Sequence, residues 1–130
     1  MSAPQATKLG LKPGHRVALV GAPEGWSLQD PPAIEHVEGG AADVIVAFVR
    51  SRAELTDQIP PLVPLIFPAG ALWIAWPRRA AGHVSDLGDA VVREFGLAAG
   101  VVDVKVAAID DDWSGLKFVY RLADREASRG

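Results

Sequence analysis

The sequence contains no cysteine. This absence excludes disulfide bonds, thiolate metal sites, cysteine nucleophiles and thiol redox switches, and it fits a reducing compartment. The chain also has no run of lysine or arginine, and its 13 basic residues are outnumbered by 16 acidic ones, for a formal net charge of −3. Because binding to a phosphate backbone relies on dense positive charge, we expect no nucleic acid among its partners.

Long uninterrupted apolar segments are missing as well. The longest apolar stretch, residues 59–77, holds five prolines and a glycine, which a membrane-spanning helix does not tolerate at that density. Residues 1–16 lack the basic start and the apolar centre of a signal peptide. We therefore expect a cytoplasmic protein without a membrane partner.

What the chain does contain is typical of one globular domain. It has 130 residues, of which 49% are hydrophobic and 22% charged. We predict a flexible N-terminus over residues 1–14, which closes with the turn signal Lys12-Pro13-Gly14, a single α/β domain over residues 15–123, and a polar tail over residues 124–130.

Three segments, residues 17–20, 43–49 and 71–76, are apolar throughout except for Asp43 and predict strands that are buried on both faces. The first crossover, residues 24–40, is rich in proline and glycine and allows only a short helix or irregular chain. Ser51 with Glu54 three residues later matches a capping box, so we expect a helix over residues 51–65 that Pro60, Pro61 and Pro64 interrupt. Buried strands joined by crossovers indicate a parallel sheet.

The last part of the chain differs in pattern. Ser85 is a suitable N-cap for a helix over residues 86–95, which Gly96 ends. Residues 102–109 and 115–121 alternate polar with apolar side chains, so we expect a half-exposed antiparallel hairpin. The predicted fold is a three-layer α/β domain, with an about five-stranded, mostly parallel, Rossmann-like sheet and a C-terminal antiparallel hairpin at one edge.

Two resemblances follow from these segments. The element order, with Leu62, the FPAGALWI segment of residues 67–74 and the terminal hairpin, resembles the second half of a class I methyltransferase-like Rossmann domain. The segments LWIAWP (72–77) and WSGLKF (113–118), with residues 8–14, 43–45, 85–87 and 102–105, resemble a family of short bacterial hypothetical proteins of unknown function, which implies no activity.

The chemistry that a methyltransferase-like fold implies finds little support in the residues. Close approach of a cofactor needs a glycine-rich loop after the first strand, and ribose binding needs an acid at the end of the next strand. The loop here is GAPEGW (21–26), without the GxGxxG spacing, and the second predicted strand ends in Val49-Arg50. We expect no cofactor on these grounds.

One candidate anion site lies after the third predicted strand. Arg78 and Arg79 follow that strand, and His83 and Ser85 precede the next helix, so together they are suited to a phosphate or carboxylate. The alternative is a solvated loop in which Ser85 only caps its helix. A second candidate, a pocket or partner surface, comprises Trp26, Glu24 and Trp113, because tryptophans are enriched in binding sites. The alternative, which we favour slightly, is that both tryptophans serve only structural packing.

Other chemical signatures are missing. The three histidines lie apart from one another without metal-ligand spacing, and Asp110-Asp111-Asp112 is not continued by the ligands of a calcium loop. Ser114 lacks the glycine of a nucleophile elbow. We therefore name no catalytic residue and no metal site.

Three functional hypotheses remain. The first is a regulatory module that binds a small anionic ligand or a protein partner at the carboxyl end of its sheet, with no catalytic site. The alternative is a reduced Rossmann-like, methyltransferase-like transferase with a degenerate cofactor site. The third is a homodimer that pairs strand to strand through the hairpin edge.

Overall fold

The computed structural model describes residues 5–78, 86–121 and 123. Its six strands are β1 (Arg16–Val20), β2 (Glu35–His36), β3 (Val44–Phe48), β4 (Ala71–Pro77), β5 (Val102–Ala108) and β6 (Trp113–Val119). Its helices are α1 (Gln5–Leu9), α2 (Arg52–Gln58) and α3 (Asp89–Ala98), with a 3-10 helix at Val63–Ile66.

The six strands form one sheet in the order β2-β1-β3-β4-β6-β5. β1 pairs in parallel with β2 and β3, and β3 pairs in parallel with β4. β6 runs antiparallel to both β4 and β5, so β5 points the same way as the parallel strands. The predicted fold class, a mostly parallel Rossmann-like sheet with an antiparallel C-terminal hairpin, is confirmed.

The three apolar segments form β1, β3 and β4, as predicted, because these strands are covered on both faces. The sixth strand of the sheet, β2, is an addition: it has two residues, both exposed, at the edge beside β1. The chain between β1 and β2, residues 21–34, contains no helix. The first crossover is therefore irregular, as its prolines and glycines suggest.

The hairpin lies differently from the prediction. β6 was expected to be half-exposed at the edge, but it is inserted between β4 and β5, and its Gly115, Leu116 and Phe118 are buried. Of the two hairpin strands, only β5 lies at an edge of the sheet, with Val104 and Val106 exposed and a bulge between Asp103 and Lys105. A bulge and a lysine discourage pairing of an edge with another chain, and the homodimer hypothesis stays a prediction.

Two apolar layers cover the sheet, one on each face. On one face α2, the 3-10 helix and α3 pack against a cluster that includes Leu72, Ile74 and Trp76. On the other face α1 and residues 22–34 cover a cluster around Phe48 and Trp73. Trp73 and Trp76 thus point to opposite faces, as their spacing on a strand predicts.

Three boundaries depart from the sequence prediction. The N-terminus was predicted to be flexible over residues 1–14, but residues 5–9 form α1, whose Leu9 is buried with the following Leu11. The helix predicted over residues 51–65 ends at Gln58, before Pro60, and resumes as the 3-10 helix. α3 begins at Asp89, and its N-cap position is held by Gly88, not Ser85.

No helix within the described part of the chain is long and apolar enough to span a membrane. Among residues 5–78, 86–121 and 123, no three histidine or acidic side chains are grouped as a metal site would require.

Candidate functional site

The carboxyl ends of the parallel strands meet at one edge of the sheet, where open α/β folds bind ligands. The turn after β1, Arg50 after β3 and Arg78 after β4 all lie there. Because β5 points the same way, the hairpin tip, Asp110–Asp112, reaches this edge too. It is the one place where the first loop and the last hairpin meet in the described structure.

Three aromatic side chains form the floor of this edge. The ring centroids of Trp26 and Phe48 are 4.8 Å apart, and those of Phe48 and Trp113 are 5.0 Å apart, both edge-to-face. Such pairs add about 0.5–1.5 kcal/mol to the apolar burial. Trp113 is only 8% exposed, so it offers almost no surface to a partner, whereas Trp26 is half-buried and Glu24 exposed.

The crevice between β1 and β3, where the strand order reverses, is closed. Gly21 has φ +69, and a Cβ there would lie 2.8 Å from the backbone oxygen of Phe48, so the two strand ends are in close contact. Arg50 Nη2 donates a 3.1 Å hydrogen bond to the Gly21 carbonyl, and its guanidinium lies 5.4 Å from the Trp113 ring centroid. The exposed Arg50 side chain thus extends across the carboxyl ends of β1 and β3.

Asp110 organises the hairpin tip. Its Oδ1 accepts hydrogen bonds from the backbone N–H groups of Asp112 and Trp113, at 2.8 and 2.9 Å. Its Oδ2 accepts from Trp26 Nε1 at 2.7 Å. The tip is thus a hydrogen-bonded turn, and Trp26 fastens the first loop to it.

The candidate anion site is described in part. The Arg78 guanidinium faces the hairpin tip, where Nη1 lies 3.3 Å from the carbonyl oxygens of both Asp110 and Asp111. Arg79, His83 and Ser85 lie outside the described residues. The grouping of these four residues around an anion stays a prediction.

Beside Arg78 is an open cleft of about 750 Å³ between β4, the start of α3 and β5. Trp76, Leu87 and Val106 give it apolar walls, and Asp86 and Asp89 add carboxylates. A cleft of this volume has the size of a small-molecule site. Among the described residues, the charged side chains of this lining are one arginine and two acids.

An acidic residue follows the strand that the sequence did not reveal. β2, not β3, is the strand that follows β1 along the chain, and Glu38 comes two residues after its end. Val37 N donates to the Val17 carbonyl at 3.0 Å, so β1 and the chain leading to Glu38 remain side by side. Glu38 is exposed, and its separation from Gly21 is close to the ~20 residues between glycine loop and ribose-binding acid in nucleotide-binding folds.

Three groups with shifted pKa values lie away from this edge. Burial, then repulsion from Lys105 and Lys12, lowers the pKa of Lys117. Burial raises the pKa of Tyr120, whose hydroxyl donates to the Val63 carbonyl at 3.0 Å. The hydrogen bond from Arg93 to Asp103 raises the pKa of Arg93.

Comparison with known proteins bears on the fold. No protein-family model matches the sequence, and no curated protein matches it. The structure is similar to magnesium protoporphyrin IX methyltransferase from Synechocystis PCC 6803 with bound SAH, with TM-score 0.56 and 12% identity over 84% of this chain and 75% of that one.

Two further solved structures are similar. One is the Burkholderia thailandensis 1,6-didemethyltoxoflavin-N1-methyltransferase with bound 1,6-didemethyltoxoflavin and S-adenosylhomocysteine, with TM-score 0.55 and 12% identity over 82% of this chain and 71% of that one. The other is the antibiotic-resistance methyltransferase Kmr, with TM-score 0.51 and 14% identity over 93% of this chain and 96% of that one. At these identities the likeness concerns the fold, which is the Rossmann-like fold of methyltransferases. The resemblance to the short bacterial family stays a prediction.

Proposed function

We propose that the chain is a reduced transferase of the methyltransferase type, with a degenerate cofactor site at the carboxyl ends of β1 and β2. The observation that carries the proposal is the position of Glu38, two residues after the strand that pairs with β1, in a sheet whose β6 is reversed between β4 and β5. The structural neighbours that bind S-adenosylhomocysteine support it.

The strands and crossovers around the proposed cofactor site differ from those of a typical dinucleotide-binding fold. A doubly wound dinucleotide fold has the strand order 3-2-1-4-5-6 with helical crossovers. Here no strand of the described residues lies outside β2, β2 has two residues, and irregular chain stands in place of the first crossover helix. Arg50 and the Trp26–Phe48 pair fill the crevice in which the rest of a cofactor would lie.

Each part of an adenosyl ligand therefore meets a different surface. The Glu38 carboxylate is a suitable acceptor for ribose hydroxyl groups, since a carboxylate accepts two hydrogen bonds. We expect no comparable contact for the methionine part, because the Arg50 side chain donates its hydrogen bond to the Gly21 carbonyl in that place. We expect this chain to bind the nucleoside part alone, with low affinity, and we assign no step of methyl transfer to its residues.

Isothermal titration calorimetry tests the proposal. We expect adenosine and S-adenosylhomocysteine to bind with Kd values within about threefold of each other, because only their shared nucleoside is held. Glu38→Gln should weaken both by about tenfold, the effect of losing a charged hydrogen-bond acceptor worth about 1.4 kcal/mol. Glu35→Gln, an exposed acid within β2, is the matched control and should change neither.

The second candidate is the regulatory module without a cofactor. The closed β1–β3 crevice favours it, because the chain's own Arg50, Trp26 and Phe48 occupy the place of a ligand. If neither nucleoside binds the unaltered protein at millimolar concentration, the transferase proposal fails and the module becomes the better account.

A further inference from the structure

All four lysines of the chain, Lys8, Lys12, Lys105 and Lys117, gather on one face of the molecule, which we call the lysine face. Lys8 lies in the last turn of α1 and Lys12 just beyond it, while Lys105 and Lys117 lie on β5 and β6. About a hundred residues of sequence separate the two pairs. The fold alone brings them together.

The contacts define the arrangement. Lys105 and Lys117 are direct partners in the antiparallel β5–β6 register. Lys105 Nζ donates a 2.9 Å hydrogen bond to the Lys8 carbonyl, and Lys8 Nζ lies 3.4 Å from the Ala108 carbonyl. Lys117 Nζ lies over the turn after α1, where a Cβ on Gly10 would be 3.3 Å from it.

Within the described residues, the positive charge of this face is not paired with acidic side chains. The ion pairs within the described parts of the chain join Arg16, Arg50 and Arg93 to carboxylates, and none includes a lysine. Like charges directly opposite one another on neighbouring strands destabilise a sheet. In a protein of net charge −3, the clustering of all four lysines on one face calls for a functional explanation.

The lowered pKa of Lys117 is consistent with this cluster of positive charge. Lys117 is half-buried, and both Lys105 and Lys12 repel its charged form, which adds to burial in lowering its pKa. Lys12 and Lys105 are exposed, and Lys8 is half-buried. The ammonium groups of Lys12 and Lys105 are therefore close enough to act on that of Lys117, and both of these side chains are exposed.

We propose that the lysine face is a binding site for a small phosphate-bearing anion with the charge of a diphosphate. A bound diphosphate would offset the repulsion among the four ammonium groups and take hydrogen bonds from several of them at once. The site is separate from the Glu38 edge, since it lies over β5 and β6, at the other end of the strand order from β2. It does not depend on the proposed transferase function.

A purely structural role would explain some of these contacts. A lysine near the carboxyl end of a helix stabilises it by bonding its last carbonyls, as Lys105 does with Lys8. This role does not require Lys12 or Lys117, however, since neither side chain is bonded to α1. Variants of Lys12 and Lys117 therefore separate ligand binding from support of the helix.

Titration with sodium pyrophosphate, followed by ¹⁵N amide NMR in low-salt buffer, tests the proposal. We expect saturable shifts of the Gly10, Lys12 and Lys117 amides, and a Kd that rises with added sodium chloride. Lys12→Gln and Lys117→Gln should each weaken binding by about fivefold, equivalent to about 1 kcal/mol. Arg52→Gln removes the same charge from α2, on the opposite face, and should change the Kd by less than about twofold.

Two further arms identify the source of the phosphate. ADP carries the same diphosphate on a nucleoside, and its affinity for the lysine face is taken from the Gly10, Lys12 and Lys117 amides, away from Glu38. Equal affinity for ADP and pyrophosphate at these amides supports a free anion, and tighter binding of ADP there supports a nucleotide. No shift at millimolar pyrophosphate, or equal loss in Arg52→Gln and both lysine variants, would overturn the proposal. Binding of a single-stranded RNA oligonucleotide without any response to pyrophosphate or ADP would overturn it too. Because Lys12 is exposed, its variant remains informative even if Lys117→Gln fails to fold.

Discussion

Trp26 Nε1 donates a 2.7 Å hydrogen bond to Asp110 Oδ2, and this bond joins two loops that are 84 residues apart in sequence. It holds the irregular first crossover against the hairpin tip, at the edge where a ligand of this fold would enter. The same indole packs on Phe48. One polar bond and one aromatic contact thus keep the first loop in place.

The first prediction concerns Asp110. Asp110→Ala removes the acceptor of three hydrogen bonds and leaves the Trp26 N–H half-buried without its partner. We expect a loss of about 2–3 kcal/mol in the free energy of unfolding, measured by urea denaturation. The exposed neighbour Asp111→Ala is the control and should cost less than about 0.5 kcal/mol. Equal losses in both variants would contradict the role given to the Trp26 bond.

The second prediction concerns the contact between α3 and β6. A Cβ on Gly96 would overlap the ring of Phe118, so Gly96→Ala should destabilise the fold by about 1–3 kcal/mol despite the better helix propensity of alanine. In the Phe118→Leu background the penalty should fall by at least about 1 kcal/mol, because the ring is gone. A double-mutant cycle from thermal or urea unfolding measures this coupling. An additive cycle would show that the ring is not the obstacle.

The third prediction concerns the start of α2. Ser51 Oγ accepts a 3.2 Å hydrogen bond from Glu54 N, as the sequence signature predicts. Ser51→Ala should therefore cost about 1 kcal/mol of unfolding free energy. Ser27→Ala, in an exposed loop, should be neutral by comparison, and a loss of similar size there would argue against a capping effect.

The fourth prediction concerns pH. Burial and neighbouring lysines lower the pKa of Lys117 below 10.5, so between the folded value and 10.5 the unfolded chain binds more protons and stability rises with pH. The raised pKa of Tyr120 acts later: above pH 10 the unfolded tyrosine ionises first, and stability falls. The unfolding free energy of Tyr120→Phe, compared with that of the double variant Tyr120→Phe/Lys117→Met, isolates the contribution of Lys117. Relative to Tyr120→Phe, the double variant should become less stable as pH rises from 7 to about 9.5. A difference in unfolding free energy that stays constant with pH would contradict the lowered pKa of Lys117.

The sequence predicts those parts of the fold that depend on local pattern. β1, β3 and β4 are continuous apolar runs, and the Ser51 cap is a local signature. β2 could not be found in this way, because it has two exposed residues and exists only through pairing with β1. Because β2 is not evident from the sequence, Glu38 is not identified there as a candidate ribose-binding acid.

The features of the candidate site depend on long-range contacts. Trp113 is buried because Phe48 packs on it, and nothing near Trp113 in sequence indicates this. The insertion of β6 between β4 and β5 likewise follows from spatial order, not from the order along the chain. No short segment of the sequence reveals the lysine face, because its members come from the two ends of the chain.

The central claim is that Glu38, at the carboxyl ends of β1 and β2, binds the nucleoside part of an adenosyl ligand. A ¹⁵N amide NMR titration with S-adenosylhomocysteine tests it most directly, because it locates the ligand. Saturable shifts that are largest at Gly21, Gly39 and Gly40, with a Kd that Glu38→Gln raises about tenfold, are the predicted result. The absence of shifts at these three glycines at millimolar ligand would contradict the account.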